Sequence, residues 1–339
     1  MELKSSAFKA YDIRGKFPEE VNEELAYRIG RVFPTLFNAK RVAVGHDIRL
    51  SGPDIQKALE LGLTEMGCEV VDIGQCGTEM IYFATAHLGL DGGIMITASH
   101  NPKEYNGLKL VRKEARPISG DTGLKDIEAK VMAGELGTPA EVPAKVIEVD
   151  IMKDYIDHLL TYVDMSALKP LKIVVNSGNG AAGPAIDELE KRLPFNFIKV
   201  NNNPDGTFPN GVPNPLLMEN REATAKVVRE EKADLGVAFD GDFDRCFIFD
   251  ENGDMIEGYY IVGFLAKAFL NKNPGAKLSM THASLGIQLN LLKKLAVYLL
   301  CVRAVMHLLK IACVKKMLFM AAKCLHITIS KISPSAIAV

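Results

Sequence analysis

The chain has 339 residues, which exceeds one ordinary domain and favours two or three domains, each with its own core. Its 40 Lys and Arg residues are balanced by 42 Asp and Glu residues, so no global field favours nucleic acid or an anionic membrane. We therefore expect a small-molecule partner. The first eight residues contain no apolar signal segment, which predicts a cytoplasmic protein.

Apolar runs of strand length alternate with segments of helical period along the first hundred residues. The pattern predicts strands at 42–44, 70–73 and 94–96 and a helix at 54–66. A second cycle follows, with strands at 171–175, 197–200 and 235–239 and a helix at 185–192. This alternation is typical of α/β domains.

Breaker-rich text at 134–143 marks a domain boundary, and a second boundary is expected after Gly253. We predict one α/β domain at 1–141 and another at 142–253. Residues 254–278 are predicted to be a fragment of a third domain.

The six cysteines show no C-x-x-C pair and no histidine at zinc-site spacing, so buried free thiols without disulfides are expected. These residues are Cys68, Cys76, Cys246, Cys301, Cys313 and Cys324.

The first motif with chemical potential follows the strand predicted at 94–96. Residues 91–102 read DGGIMITASHNP, an apolar strand that runs into a polar turn and lifts Ser99 off the strand end. Because α/β folds place ligands at the carboxyl ends of parallel strands, a hydroxyl there can be phosphorylated and pass the group on. An ordinary Asn-Pro turn is the structural alternative.

The segment DGDFDR places three carboxylates on alternate residues: Asp240, Asp242 and Asp244. In extended backbone alternate side chains share a face, so all three can reach one hard cation, and oxygen-only ligands select magnesium or calcium. A solvated acidic loop or an EF-hand start is the alternative. Arg245 stands where an EF-hand needs glycine, which argues against the latter.

Residues 178–183 read GNGAAG and match the dinucleotide pattern G-x-G-x-x-G. A nicotinamide site would want Asp or Glu at the end of the next strand, where residues 201–203 are all Asn. We interpret the segment as a tight strand-to-helix turn and keep a dinucleotide-binding oxidoreductase as an alternative.

Two further segments place an arginine in a predicted loop. AYDIRG carries Tyr11 and Arg14, and GHDIR carries Arg49. Arginine forks suit phosphate oxygens, although each arginine could instead form a structural salt bridge.

The ordered set AYDIRG (10–15), TASHNP (97–102) and DGDFDR (240–245) resembles the α-D-phosphohexomutase family. The intervening text is similar to the bacterial phosphomannomutase branch of that family, and the resemblance extends from about residue 8 to 277. It implies consecutive α/β domains with mixed sheets, of which the third is incomplete here and the fourth is absent.

The resemblance also implies the roles of the site residues. Ser99 would be the phosphoserine, and its phosphate would hold Mg²⁺ together with the three aspartates. Lys109 would be a general acid or base, and His100 and Arg245 would complete the catalytic group. Tyr11 and Arg14 would bind the substrate.

The implied reaction moves the serine phosphoryl to mannose 6-phosphate or mannose 1-phosphate. The resulting bisphosphate reorients and returns its other phosphoryl to the enzyme, in the service of GDP-mannose synthesis. A phosphosugar is thus the expected partner, without nucleic acid or membrane, and the sequence makes no prediction of oligomeric state. The alternative is a non-catalytic chain that retains metal binding.

The tail differs from the rest of the chain, because no Asp or Glu occurs between Glu257 and the last residue. The family's Gly-Glu-Met-Ser sugar loop is also missing, yet the codons of residues 320–329 permit it in the neighbouring frame. We therefore predict that residues 279–339 are a frameshifted tail on a truncated chain with impaired activity. The alternative, a basic amphipathic membrane helix at 289–322, is interrupted by Arg303, Lys310, Lys315 and Lys316.

Overall fold

Seven strands from the first 148 residues form one mixed sheet. They belong to a computed structural model that describes residues 3–258, 260, 261, 263–265, 277–279 and 328–330. The strands are β1 (Ile13–Lys16), β2 (Arg41–His46), β3 (Glu69–Gln75), β4 (Gly92–Ile96), β5 (Tyr105–Arg112), β6 (Arg116–Pro117) and β7 (Val146–Glu148). The helices are α1 (Glu23–Phe37), α2 (Gly52–Glu65), α3 (Thr78–His87) and α4 (Leu124–Ala133).

The order of this sheet is β1-β5-β4-β2-β3-β7, and β6 pairs with β5. Strand β2 runs parallel to both β3 and β4, whereas β5 is antiparallel to its neighbours β1 and β4. After β2 the chain forms β3 on one side of β2 and then β4 on the other side. The carboxyl ends of β2 and β4 therefore flank a crevice. Ligands bind at such points in open α/β sheets.

A second mixed sheet repeats this logic. Its elements are α5 (Met152–Leu160), β8 (Lys172–Asn176), α6 (Ala182–Glu190), β9 (Asn196–Val200), α7 (Met218–Glu231), β10 (Leu235–Phe239), β11 (Cys246–Phe249) and β12 (Met255–Ile256). The order is β12-β11-β10-β8-β9, with β8 parallel to β9 and β10 and with β11 antiparallel to β10 and β12. The crevice therefore lies between the ends of β8 and β10.

An apolar core joins the two sheets. Val71 and Ile81 from the first sheet and its helix α3 belong to one buried cluster with Ile173 and Val237 from the second sheet. The other face of the first sheet is covered by α1 and α2, which approach closely where a Cβ on Gly62 would lie 2.2 Å from the Tyr27 carbonyl oxygen. The shared core fixes how the two crevices face each other.

Strand β7 extends the first sheet past residue 141, where the sequence predicts that domain to end. Val146 pairs in parallel register with Val70 of β3. The breaker-rich stretch before it runs along α2, where the Ala140 and Ala144 N–H groups donate to the carbonyls of Glu65 and Thr64. The turn-forming composition thus marks a surface connection inside the first domain, and α5 is the first element beyond it.

The end of the chain is described only in part. Strands β13 (Lys277–Ser279) and β14 (Thr328–Ser330) pair antiparallel. The rest of the predicted frameshifted tail, including the alternative membrane helix at 289–322, lies outside the described residues. Within the described part of the chain, no helix has the length and hydropathy needed to cross a membrane.

Three of the six cysteines fall within the described residues. Cys68, Cys76 and Cys246 are buried and carry free thiols. Cys301, Cys313 and Cys324 lie outside that part of the chain.

Glu60 on α2 gives the fold a pH dependence. Burial raises the pKa of this carboxyl to about 7, the charges of Asp72 and Glu148 add to the rise, and a hydrogen bond from Gln56 opposes it. Between its ordinary pKa of 4.5 and about 7, the folded chain keeps a proton that the unfolded chain has released. The stability linked to Glu60 is therefore lost as the pH rises through 7.

We predict that Glu60→Gln raises the free energy of unfolding by roughly 1 kcal/mol at about pH 8, a value discounted for the partial exposure of the carboxyl. The gain should vanish well below pH 4.5, because the wild-type side chain is then protonated in both states. Urea unfolding across this pH range measures it, with Glu19→Gln at an exposed carboxylate as the control. A gain that does not change with pH would contradict the assignment.

Candidate active site between the two sheets

The serine loop begins where β4 ends. The Thr97 hydroxyl donates to Asp47 Oδ2 at 2.7 Å, and the Ser99 N–H donates to Thr97 Oγ1 at 2.8 Å. Ser99 itself has φ 50°, in the left-handed region that costs a non-glycine residue conformational energy. These bonds hold the backbone in a conformation that turns the serine hydroxyl away from its own sheet.

Arg49 holds the same loop through hydrogen bonds to its backbone carbonyls. Its Nη1 donates to the carbonyls of Pro102 and Tyr105 at 2.7 and 2.8 Å, and its Nη2 donates to those of Ser99 and Asn101 at 2.9 and 2.6 Å. The side chain is buried, and its Nε lies 3.4 Å from Asp47 Oδ2. Of the two roles open to this arginine, the structural one applies, since both of its Nη groups are already engaged with protein carbonyls.

The aspartate loop follows β10 and meets the serine loop directly. The Ser99 hydroxyl donates to Asp240 Oδ2 at 2.6 Å, and Ser99 is only 1% exposed. One carboxylate oxygen from each of Asp240, Asp242 and Asp244 lies within 4.8 Å of the others. A Cβ on Gly241 would stand 2.6 Å from the Ser99 carbonyl oxygen, so glycine there permits the close approach of the two loops.

Lys109 reaches the aspartates from β5. Its Nζ lies 2.6 Å from Asp242 Oδ2 and 2.7 Å from Asp244 Oδ2. Burial alone would lower the pKa of this lysine, but the two carboxylates outweigh burial and hold the pKa well above its usual value. Lys109 is therefore a firmly protonated ammonium in this geometry.

The three carboxylates respond differently to their shared burial. Burial raises the pKa of Asp240 and of Asp244, and repulsion from Asp242 raises both further. Burial also opposes the ionisation of Asp242, but Lys109 and a hydrogen bond from Thr78 outweigh it and lower the pKa of that carboxyl. One lysine thus neutralises only part of the negative charge gathered here.

A divalent cation fits this donor set. All its ligand atoms are oxygens, which suits a hard cation. Among the residues that the structure describes, buried Asp242 Oδ1 has no hydrogen-bond partner, so it remains available as a ligand. The three aspartates thus provide both the negative charge and a free ligand atom that a metal site requires.

His100 and Arg245 lie beside the serine and the aspartates. His100 Nδ1 is 3.1 Å from Ser99 Oγ. Burial lowers the pKa of His100 to about 4, and the charges of Arg245 and Arg14 add to the effect, so the imidazole is neutral near pH 7. The Arg245 guanidinium is half-buried, with Nε 3.9 Å from Asp240 Oδ2.

The first predicted loop is also brought to the site. Arg14 Nη1 donates to Asn101 Oδ1 at 2.9 Å, and Nη2 donates to Asp12 Oδ2 at 2.6 Å. Its buried Nε has no hydrogen-bond partner among the described residues. Tyr11 lies on the rim, with 72% of its surface exposed.

Gly77 and Thr78 belong to the site but escaped the sequence analysis. The Thr78 hydroxyl donates to Asp242 Oδ2 at 2.5 Å, and its N–H donates to the Asp242 carbonyl at 3.2 Å. Both residues follow the carboxyl end of β3. The rule that located Ser99 at the end of β4 could therefore have found them.

The glycine-rich segment 178–183 forms a turn between β8 and α6. A Cβ on Gly180 would lie 2.8 Å from the Gly241 carbonyl oxygen, and one on Gly183 would lie 1.8 Å from the Asn202 carbonyl oxygen. Glycine is therefore needed at both positions for the close approach of the protein's own backbone. The structure therefore agrees with a tight strand-to-helix turn and disfavours the dinucleotide alternative.

Two mixed α/β sheets, with a serine loop on one facing an aspartate loop on the other, define a protein of the phosphohexomutase type. Residues 5–137 match the family description "Phosphoglucomutase/phosphomannomutase, alpha/beta/alpha domain I", and residues 153–253 match domain II of the same family. The chain belongs to the phosphoglucomutase/phosphomannomutase family.

Individual relatives agree with this assignment. The chain is 57% identical over 280 residues to a phosphomannomutase from Salmonella montevideo, covering 80% of this chain and 61% of that protein. It is 54% identical over 281 residues to a phosphomannomutase from Escherichia coli K12, covering 81% and 62%. The chain thus spans about three-fifths of the length of the curated relatives it matches.

A solved structure also matches. The crystal structure of a phosphoglucomutase/phosphomannomutase family protein from Burkholderia thailandensis is 33% identical in sequence, with a TM-score of 0.75. The match covers 81% of this chain and 61% of that one.

We predict that Arg49→Lys lowers the free energy of unfolding by about 2–4 kcal/mol, because one ammonium cannot satisfy the four carbonyls that the buried guanidinium bonds. Urea unfolding measures the loss. Arg41→Lys is the matched control, since Arg41 is 49% exposed and its side chain pairs with Glu69 on the surface, and it should change stability by less than about 1 kcal/mol. Equal effects of the two substitutions would contradict the role given to Arg49.

Proposed function

We propose that this chain is a phosphotransferase that interconverts mannose 6-phosphate and mannose 1-phosphate through a phosphoserine at Ser99. The observation that carries the proposal is the 2.6 Å contact between the Ser99 hydroxyl and Asp240, with two further carboxylates beside it. The printed name of the relatives, phosphomannomutase, supports mannose phosphates as the substrates.

The proposed cycle has two balanced transfers. In the first, the bond between phosphorus and Ser99 Oγ breaks while a sugar hydroxyl oxygen bonds to phosphorus and releases its proton, which leaves a free serine and a hexose bisphosphate. In the second, the bisphosphate reorients, Ser99 Oγ bonds to the other phosphorus and releases its proton, and the bond from that phosphorus to the sugar oxygen breaks. The sugar oxygen takes up a proton and leaves as the hydroxyl of the monophosphate product. A buried serine suits this exchange, because water is excluded as a competing acceptor.

The side chains around Ser99 take distinct parts in the proposal. Lys109 is an ammonium in this geometry, so it can donate a proton to the oxygen from which the phosphoryl departs. His100 is neutral and hydrogen-bonds the serine oxygen without adding charge. Arg14 and Arg245 would face the transferring phosphoryl, for which guanidinium groups are well suited, and Tyr11 would contact the sugar at the rim.

The proposed cofactor is Mg²⁺, held by Asp240, Asp242, Asp244 and the phosphorylated Ser99. When bound there, the ion would supply positive charge to the oxygens of the transferring phosphoryl. The chain's own part is to gather three carboxylates at one point and to bury two of them, Asp240 and Asp242. The substrates are sugar phosphates, in keeping with the cytoplasmic location expected from the sequence.

We predict that the full chain, incubated with ³²P-labelled mannose 1,6-bisphosphate and Mg²⁺, becomes labelled on a single peptide that contains Ser99. Ser99→Ala should reduce the label by about 100-fold or more, since the acceptor oxygen is gone. Ser166→Ala, at an exposed serine of the second domain, is the control and should label normally. Equal labelling of the Ser99→Ala protein would overturn the proposal.

The same experiment separates the alternative function. A wild-type chain that binds a divalent cation but takes up no label would be a metal-binding protein without catalysis. Conversion of mannose 1-phosphate to mannose 6-phosphate, followed by a coupled assay, would exclude that alternative.

A further inference from the structure

The aspartate loop carries a buried aromatic side chain between two of its carboxylates. Phe243 follows Asp242 and precedes Asp244, is 3% exposed and has φ 45°. For a bulky residue this left-handed conformation is a strained outlier, which persists only where the surroundings enforce it. The ring therefore packs at a defined place, and this packing determines the position of the loop.

The ring packs against Gly77, which belongs to the first domain. A Cβ built on Gly77 would lie 2.1 Å from Phe243 Cε1, 2.5 Å from Cζ and 2.6 Å from Cδ1. Cβ atoms in folded proteins essentially never lie within 3.0 Å of another atom, so the ring would have to shift to make room for any other residue at position 77. Gly77 immediately precedes α3, whereas Phe243 follows β10 of the second sheet.

The neighbouring residue holds the loop in the same place. Thr78 donates its N–H to the carbonyl of Asp242 and its hydroxyl to Asp242 Oδ2. Two consecutive residues of the first domain thus contact two consecutive residues of the aspartate loop. The bonds of Thr78 and the contact between Gly77 and the ring therefore both fix the position of the aspartate loop relative to the first domain.

The separation between the aspartate loop and the serine loop matters because the two domains each supply part of the site. Ser99 comes from the first domain and the three aspartates from the second, and all four are proposed to share one cation. An alanine at position 77 would push the Phe243 ring away by about 1 Å. Because Phe243 lies in the sequence between Asp242 and Asp244, a shift of the ring would also move these two proposed ligands. Misplacement of reacting groups by about 1 Å can cost about 100-fold in rate.

We propose that Gly77 and Phe243 form a steric pair that positions the aspartate loop against the serine loop, and that Gly77 is a positioning residue for the shared cation site. The inference rests on the proposed function, because its readout is the cation held between Ser99 and the aspartates. Neither residue contacts the reacting atoms. Their contribution is to fix the separation of two loops that belong to different domains.

The test is a double-mutant cycle on the full chain, with Mn²⁺ as the probe and its affinity measured by electron paramagnetic resonance. Gly77→Ala should weaken Mn²⁺ binding by about 10-fold or more. Phe243→Ala removes the three ring carbons that would collide, so adding Gly77→Ala to that variant should change the affinity by less than about 3-fold. Gly120→Ala is the matched control, because its Cβ would meet only ordinary contacts at 3.5 Å.

The outcomes are distinct. Failure of the wild-type chain to bind Mn²⁺ would count against the proposed function itself. A wild-type chain that binds Mn²⁺, with a Gly77→Ala variant that binds equally well, would overturn the positioning role. An equal loss in both backgrounds would overturn the steric pairing. If Gly77→Ala alone unfolds while the double variant folds and binds, the clash is demonstrated by the rescue.

Discussion

The hydrogen bond between Ser99 and Asp240 is the contact on which the site depends, since it joins two sheets that fold from separate stretches of the chain. It forms because each sheet reverses its strand order where one of the loops leaves it. A shared apolar core then holds the two crevices face to face. The buried polar cluster is accordingly set by the packing of elements that take no part in the chemistry.

Local sequence patterns predicted most of the parallel strands and their loops. Strands β2, β3, β4, β8, β9 and β10 each contain or closely overlap the predicted runs. The signal is clearest in β4 and β10, which are buried at every position and are therefore short apolar stretches bounded by turn residues. The remaining strands were harder to find. Strand β7 is fully exposed, so its three residues carry no alternation of apolar and polar side chains to reveal them.

The candidate site shows the same division. Residue type and spacing alone left an Asn-Pro turn open for Ser99 and a solvated acidic loop open for the three aspartates. The resemblance of the combined motifs to a known family singled out these four residues, and the structure brings them together. Arg49 was left between two roles, because a guanidinium binds carbonyls and phosphates through the same donors. Gly77 could have been found from its place after the carboxyl end of β3, but its contact with the Phe243 ring, more than 160 residues away in sequence, could not. Contacts of that kind depend on the relative placement of the domains, which no local pattern encodes.

The central claim is that Ser99 and the three aspartates form one cation site across two domains. A crystal structure of the full chain soaked in Mn²⁺ tests it most directly through the anomalous signal of the metal. The account predicts one peak within about 2.5 Å of a carboxylate oxygen of each aspartate and beside Ser99 Oγ. A peak bound elsewhere, or aspartates whose oxygens all turn away from the metal, would contradict it.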